Sequence, residues 1–115
     1  MDVPAIQHQL ESFAQERDWN QYHSPKNLAM ALSVEASELV EHFQWLTEEQ
    51  SAAPDEAKRQ AIASEIADVQ IYLLRLADKL GIDIEAAVAA KIRENHEKDP
   101  ADRVRGSAAK YTEYE

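Results

Sequence analysis

The sequence predicts an all-α protein of one domain, and three observations support this prediction. Only two of the 115 residues are glycine, and residues that favour helices, such as alanine, leucine and glutamate, dominate the chain. Apolar residues recur at helical spacing, and the four prolines stand where helices begin or cannot continue. Without an internal repeat or flexible linker, we expect residues 1–98 to form the domain and residues 99–115 a polar tail.

Two helices are predicted in the first half of the chain. Residues 4–17 place Ile6, Leu10 and Phe13 along one apolar stripe, and the aromatic-rich segment DWNQYH follows. Ser24 is then a typical N-cap before Pro25 at the first helical position. The second helix, residues 26–46, is apolar almost all round, which is typical of a helix buried on more than one side.

Two further helices are predicted beyond the polar stretch TEEQSAAPDEAKR. The third covers residues 55–80, again with apolar residues on several faces, and Gly81 is a typical C-terminal stop. The fourth covers residues 84–98, with Asp83 as its N-cap and a narrower apolar stripe. Because a four-helix monomer of this size cannot bury both central helices, we expect a homodimer or homotetramer, a dimer of dimers.

Composition and charge exclude several classes of function. The chain has no cysteine, so disulfides, thiolate zinc sites and cysteine nucleophiles are excluded. Asp and Glu total 22 against 12 Lys and Arg, and this net charge of −10 argues against nucleic acid as a partner. The sequence has neither a signal-peptide pattern nor a long uncharged apolar run, so we expect a cytoplasmic protein without a membrane partner.

Two acidic pairs interrupt the most apolar helices. Glu35 and Glu38 stand three residues apart in SVEASELVEHFQW, and Glu65 and Asp68 repeat that spacing in SEIADVQIY. A single such pair is more often a solvated surface feature. Two pairs on apolar helices indicate a cation between them, because a buried unpaired carboxylate is costly. Four oxygen donors favour Mg²⁺, with Mn²⁺ as a substitute, over zinc, and Mg²⁺ commonly binds phosphates.

These motifs resemble a known family. Glu-x-x-Glu followed by Glu-x-x-Asp on helices is similar to the signature of the MazG-type nucleotide pyrophosphohydrolases. The runs ERDWNQYHSPKNLAMALSVEASELVEHFQW and EIADVQIYLLRLADKLGIDIEAAVAAKIRENHEK and the tail RGSAAKY resemble the dCTP pyrophosphatase branch of that superfamily. The chain departs from the branch at residues 34–38, where it has VEASE instead of the frequent GEVGE.

The resemblance implies a four-helix MazG-like bundle and a Mg²⁺-dependent house-cleaning hydrolase. Its substrate would be a nucleoside triphosphate, with dCTP or a related pyrimidine deoxynucleotide favoured, and its products the monophosphate and pyrophosphate. The metal ligands implied are Glu35, Glu38, Glu65 and Asp68. The residues implied to surround the nucleotide are Trp19, His23, Trp45, Tyr72, Lys91 and Asn95.

The residues implied to surround the nucleotide also have interpretations without a nucleotide. A lone tryptophan more often lies in a core or an interface, but Trp45 continues the stripe of the first acidic pair, which favours base stacking. Tyr72 lies one turn beyond the second pair, where its ring and hydroxyl would meet a phosphate or sugar. His23 could act only as a local cap. Lys91 and Asn95 suit a phosphate and a base edge, or simply an exposed polar face.

The expected chemistry is attack of water on the α-phosphorus. Glu38 is the first candidate for the general base, followed by Glu35, because crowded carboxylates have raised pKa values. Two alternatives stay open: a broader MazG-type hydrolase of dATP, dUTP or modified nucleotides, and a helical oligomer that binds nucleotide or protein without turnover. The basic tail residues Arg103, Arg105 and Lys110 would either close on the polyphosphate or serve solubility.

Overall fold

The computed structural model describes residues 1–107, and every element of secondary structure in that range is helical. The four long helices are α1 (Val3–Glu16), α2 (Pro25–Glu41), α4 (Glu56–Lys79) and α5 (Ile84–Lys98). Two short helices are α3 (Glu48–Ser51) and α6 (Ala101–Val104), and a 3-10 turn covers Asn20–Tyr22. The predicted all-α class is therefore confirmed, with long helices close to the four predicted positions.

Side-chain caps start the helices where the sequence places them. The Ser24 hydroxyl accepts a hydrogen bond from the Asn27 amide at 3.1 Å, with Pro25 as the first residue of α2. The Asp83 carboxylate accepts from the Ala86 amide at 3.0 Å and starts α5. Gly81 follows α4 with a φ of 65°, a left-handed conformation that glycine adopts at little cost.

Two helix boundaries differ from the sequence prediction. The predicted extension of the second helix to residue 46 is wrong, because α2 ends at Glu41. The chain then continues in turns, in one of which the Leu46 amide donates a hydrogen bond to the Phe43 carbonyl at 2.9 Å. Apolar spacing continues through this segment and so concealed the end of the helix. The short α3 was missed, although Thr47 and Gln50 form the capping box that starts it.

Residues 1–81 form one compact unit, in which α1 and α2 both pack against α4. Leu28 of α2 and Leu74 of α4 are fully buried at its core. The Gln7 amide of α1 donates a hydrogen bond to the carbonyl oxygen of Leu74 at 3.0 Å, which ties α1 to the same point of α4. A second unit begins at Ile82 and contains α5 and α6.

Several large apolar side chains of the first unit remain exposed. Met30 and Val34 of α2 and Ile66 of α4 are each more than half exposed, at 58%, 55% and 54%. The core of the single chain therefore leaves a substantial part of its long helices uncovered. None of the described helices has the combination of length and apolar character that a bilayer crossing requires.

Candidate metal and nucleotide site

Helices α2 and α4 bring three of the predicted metal ligands together. Glu35 and Glu38 of α2 and Glu65 of α4 each offer a carboxylate oxygen, and these oxygens all lie within 4.8 Å of one another. All three residues are half-buried. We call these three residues the acidic cluster.

The acidic cluster brings like charges together at a partly buried position. Within the described residues, the buried Oε2 atoms of Glu35 and Glu65 have no hydrogen-bond partner. Burial, together with the adjacent carboxyl groups of Glu38 and Glu65 and the charge of Asp68, raises the pKa of Glu35 to about 7. Oxygen donors with unsatisfied buried atoms fit a hard divalent cation, which would complete their coordination.

Asp68, the fourth predicted ligand, connects the acidic cluster to a neighbouring cleft. Its charge acts on Glu35, although its oxygens are outside the group that meets within 4.8 Å. The cleft has a volume of about 340 Å³ and lies within the first unit. It is lined by Leu10, Phe13, Trp19, His23, Asp68, Ile71, Tyr72 and Arg75. Three predicted nucleotide contacts, Trp19, His23 and Tyr72, thus share one cleft with a predicted metal ligand.

A sharp turn after α1 brings together Phe13, Trp19 and His23, which form the aromatic wall of the cleft. Asp18 has a φ of 53°, and the Trp19 amide donates back to the Ala14 carbonyl at 2.9 Å, as in a helix ending with a left-handed residue. The turn brings the Trp19 ring edge-on to Phe13, with the centroids 5.6 Å apart. The His23 ring follows at 6.5 Å from Trp19. The wall therefore offers flat apolar surface beside an acidic site.

Arg75 is a cleft residue that the sequence analysis missed. Only 3% of it is exposed, and its guanidinium donates through Nε to His23 Nδ1 at 3.3 Å and through its other nitrogens to the side chains of Glu11 and Asn20. The Asn20 amide in turn donates to Glu11 at 3.1 Å. The hydrogen bond from Arg75 holds the pKa of Glu11 below its ordinary value. We call these four residues the arginine cluster.

A sequence signal for this cluster existed. Arg75 interrupts the apolar run IYLLRLADKL. Helical spacing places it on the same stripe of the helix as Glu65, Asp68 and Tyr72. A charged residue on that stripe requires a partner, although the sequence does not indicate which one.

Trp45 lies apart from this cleft. It follows the end of α2 at Glu41, and 86% of its surface is exposed in the single chain. The predicted alignment of Trp45 with the acidic stripe assumed a helix that continues to residue 46. Because α2 ends earlier, the side chain is not among those that line the cleft.

The remaining predicted contacts belong to the second unit. Lys91 and Asn95 are exposed residues of α5. Arg103 in α6 and Arg105 just beyond it are exposed as well. Lys110 lies outside the described residues.

Comparison with known proteins decides the family. The sequence profile of the MazG-like family matches residues 30–114, which include all four predicted metal ligands. The chain belongs to the MazG-like family. It is 45% identical over 103 residues to dCTP pyrophosphatase 1 of Mus musculus and 45% identical over 105 residues to that of Homo sapiens. Each alignment covers 88% of this chain and 61% of the relative, so the chain spans about three fifths of the length of these relatives.

A solved structure of this MazG-like fold matches the chain along nearly the whole length of the solved protein. The crystal structure of a pyrophosphatase from Archaeoglobus fulgidus superposes with a TM-score of 0.81 and is 38% identical in sequence. The match covers 87% of this chain and 94% of that one. The resemblance found in the sequence is thereby confirmed for family and fold.

Proposed function

We propose that this MazG-like chain is a Mg²⁺-dependent nucleoside triphosphate pyrophosphohydrolase. The substrate proposed is dCTP or a related pyrimidine deoxynucleotide, and the products are the monophosphate and pyrophosphate. The observation that carries the proposal is the acidic cluster, whose three carboxylates meet within 4.8 Å and leave two buried oxygens without partners. The names of its relatives, dCTP pyrophosphatase 1 and a pyrophosphatase, support the same reaction class.

The residues proposed to hold Mg²⁺, or Mn²⁺ in its place, are Glu35, Glu38, Glu65 and Asp68. When bound, the cation neutralises charge on the phosphate oxygens and makes water a better nucleophile. Because the unpartnered buried oxygens belong to Glu35 and Glu65, we assign these two residues first to metal binding. Glu38 then remains the first candidate to accept the proton of the attacking water, and Glu35 the second.

The cleft next to Asp68 is proposed to bind the nucleoside. Trp19 and Tyr72 offer aromatic surface on which a base or sugar can pack, and His23 offers a polar atom for its edge. The volume of about 340 Å³ is within the range of small-molecule sites. In such sites the shape of the pocket and a few polar groups fix the orientation of the ligand.

A homodimer or homotetramer is proposed to complete the site. The support is the exposed apolar surface on α2 and α4, represented by Met30, Val34 and Ile66. In this assembly, Trp45, Lys91 and Asn95 are proposed to contact the nucleotide. Sedimentation equilibrium of the full chain tests this proposal, and a monomer at micromolar concentration would contradict it.

The activity is tested by pyrophosphate release from each common nucleoside triphosphate, with Mg²⁺ and with EDTA. Release that requires the metal and is fastest with dCTP is the expected result. Release fastest from dATP or dUTP would keep the reaction and change the substrate. Absence of release from the panel and from base-modified pyrimidine triphosphates would contradict the proposal and favour nucleotide binding without turnover.

Matched variants connect the activity to the acidic cluster. Glu65→Gln removes one carboxylate of the cluster, whereas Glu56→Gln removes the same charge from α4 at a side chain that is 70% exposed. We expect the first variant to lose metal-dependent turnover and the second to retain it. Equal activity of the two variants would separate the reaction from the acidic cluster.

A further inference from the structure

The arginine cluster satisfies its own charges and yet forms part of the nucleotide cleft. The Arg75 side chain is 4% exposed and forms an ion pair with Glu11, whose side chain is 33% exposed. Lys79 adds a hydrogen bond of 3.1 Å to the Asn20 side-chain oxygen. A purely structural ion pair would not need a histidine, but here the Nε of Arg75 is directed at His23, a residue of the cleft wall.

The hydrogen bond from Arg75 fixes the chemical form of the His23 ring. An arginine side chain can only donate, so His23 Nδ1, at 3.3 Å from Nε, must accept and cannot carry a proton. In a neutral imidazole the proton then resides on Nε2, since the hydrogen bond at one ring nitrogen determines the state of the other. His23 is therefore left with Nε2–H, a donor, as the nitrogen available to a ligand.

The charges around His23 favour its neutral form. Burial lowers the pKa of His23, and the positive charges of Arg75 and Lys79 lower it further, against the opposing effect of Glu11. A neutral ring with a fixed proton presents one donor. A free histidine, by contrast, exchanges between two tautomers and a cation.

We propose that Arg75 is a positioning residue that holds His23 as the Nε2–H tautomer, and that this donor hydrogen-bonds N3 of a cytosine base. This inference rests on the proposed function and gives its substrate preference a cause. N3 is an unprotonated acceptor in cytosine, whereas uracil and thymine carry N3–H, which would oppose the histidine donor. A fixed donor thus favours cytosine over uracil, because the mismatched pair leaves two buried donors facing each other.

The tautomer can be measured without catalysis. Two-bond ¹H–¹⁵N spectra of the full-length ligand-free protein at pH 7.5 show which imidazole nitrogens are protonated, and the His23→Gln variant identifies the signal of His23 among the four histidines. We expect Nε2–H in the native protein and a mixture of tautomers in Arg75→Met. The control Arg59→Met removes an arginine of α4 whose side chain is 74% exposed, and it should leave the spectrum unchanged. A protonated Nδ1 in the native protein overturns the proposal.

Base preference provides the second measurement. The ratio of kcat/KM for dCTP to that for dUTP should fall by about tenfold or more in Arg75→Met, as expected for one buried hydrogen bond, and stay unchanged in Arg59→Met. If Arg75→Met does not fold, the double variant Glu11→Gln/Arg75→Met, which removes both charges of the Arg75–Glu11 pair, replaces it. An unchanged ratio in a folded variant with mixed tautomers overturns the assignment to N3.

Failure of the proposed function is distinguishable from failure of this inference. If the native protein releases no pyrophosphate, NMR titration with dCMP and dUMP replaces the rates, because it requires binding and not turnover. Tighter binding of dCMP that is lost in the Arg75 variant supports the role of His23 in a non-hydrolytic protein. Equal binding of dCMP and dUMP to the native protein contradicts it.

Discussion

The acidic cluster and the arginine cluster hold buried charge in opposite ways on the same helix. Glu65 and Arg75 both lie on α4, yet the Glu65 Oε2 atom has no partner among the described residues, while Arg75 donates to three side chains. The pKa of Glu35 in the first cluster is raised, and that of Glu11 in the second is lowered. The charges of the arginine cluster are paired within the chain, whereas the unpartnered oxygens of the acidic cluster are what we expect of a site that binds a cation.

This difference is what we expect if the acidic cluster is a site for a ligand and the arginine cluster is part of the structure that supports it. We expect the like charges of the acidic cluster to be compensated by a bound cation, because uncompensated buried carboxylates oppose folding. Around the arginine cluster every strong charge has a partner, so its geometry is fixed before a ligand arrives. Asp68 lies between the two clusters on α4 and lines the cleft.

The largest effect is expected from Glu65→Gln in the acidic cluster. Loss of a carboxylate that we propose as a direct metal ligand should lower kcat/KM with Mg²⁺ by about a hundredfold or more, which exceeds the effect of losing an outer partner of a ligand. We expect Mg²⁺ to raise the melting temperature of the native protein and to leave that of the variant unchanged. Differential scanning fluorimetry with and without Mg²⁺ checks this, and a variant that still gains stability would show that the cluster is not the metal site.

The arginine cluster should respond through stability. Arg75→Met leaves Glu11 without its main partner, and because Glu11 is partly exposed we expect a loss of about 2 kcal/mol, below the range for fully buried pairs. Urea unfolding measures it. Glu11→Gln/Arg75→Met should recover part of the loss, since the Glu11 charge is removed together with its main partner. If the double variant is less stable than Arg75→Met, the charge pairing is not what holds the cluster.

The two clusters should give opposite pH dependences of stability in metal-free protein. The pKa of Glu35 is raised from 4.5 to about 7, so its contribution is fully present below pH 4.5 and is lost as the pH rises through 7. The lowered pKa of Glu11 acts in the other direction, with stability lost as the pH falls through it. Urea unfolding of the native protein and Glu35→Gln between pH 4 and pH 8 should show a smaller decline in the variant at high pH. Parallel curves would contradict this assignment.

The smallest effect is expected from Lys79→Met at the edge of the arginine cluster. Lys79 Nζ lies 3.8 Å from Glu11 and its side chain is 28% exposed, so the ion pair is longer and more solvated than that of Arg75. We expect a loss of unfolding free energy of about 0.5–1 kcal/mol. A loss as large as that of Arg75→Met would mean that the cluster depends on total positive charge, and not on the fixed geometry of the guanidinium.

Local patterns explain most of what the sequence predicted correctly. Helix positions depend on apolar spacing and on caps such as Ser24 and Asp83, which act within one turn of the chain. The end of α2 was wrong because the spacing continues after the backbone leaves the helix at Glu41. Trp45 was aligned with the acidic stripe for the same reason, and its role as a nucleotide contact stays a prediction, as do those of Lys91 and Asn95.

The sequence by itself determined the all-α class, the MazG-like family and the identity of the acids, since residue spacing on a helix is enough to place Glu35 beside Glu38 and Glu65 beside Asp68. Only the tertiary structure decided that Glu65 meets Glu35 and Glu38 and that Arg75 pairs with Glu11, 64 residues earlier in the chain. Such contacts depend on how α1, α2 and α4 pack, which helical periodicity does not specify. The packing of the helices therefore determines which residue pairs with a buried charge, whereas the sequence alone shows that a charge in an apolar helix needs a partner.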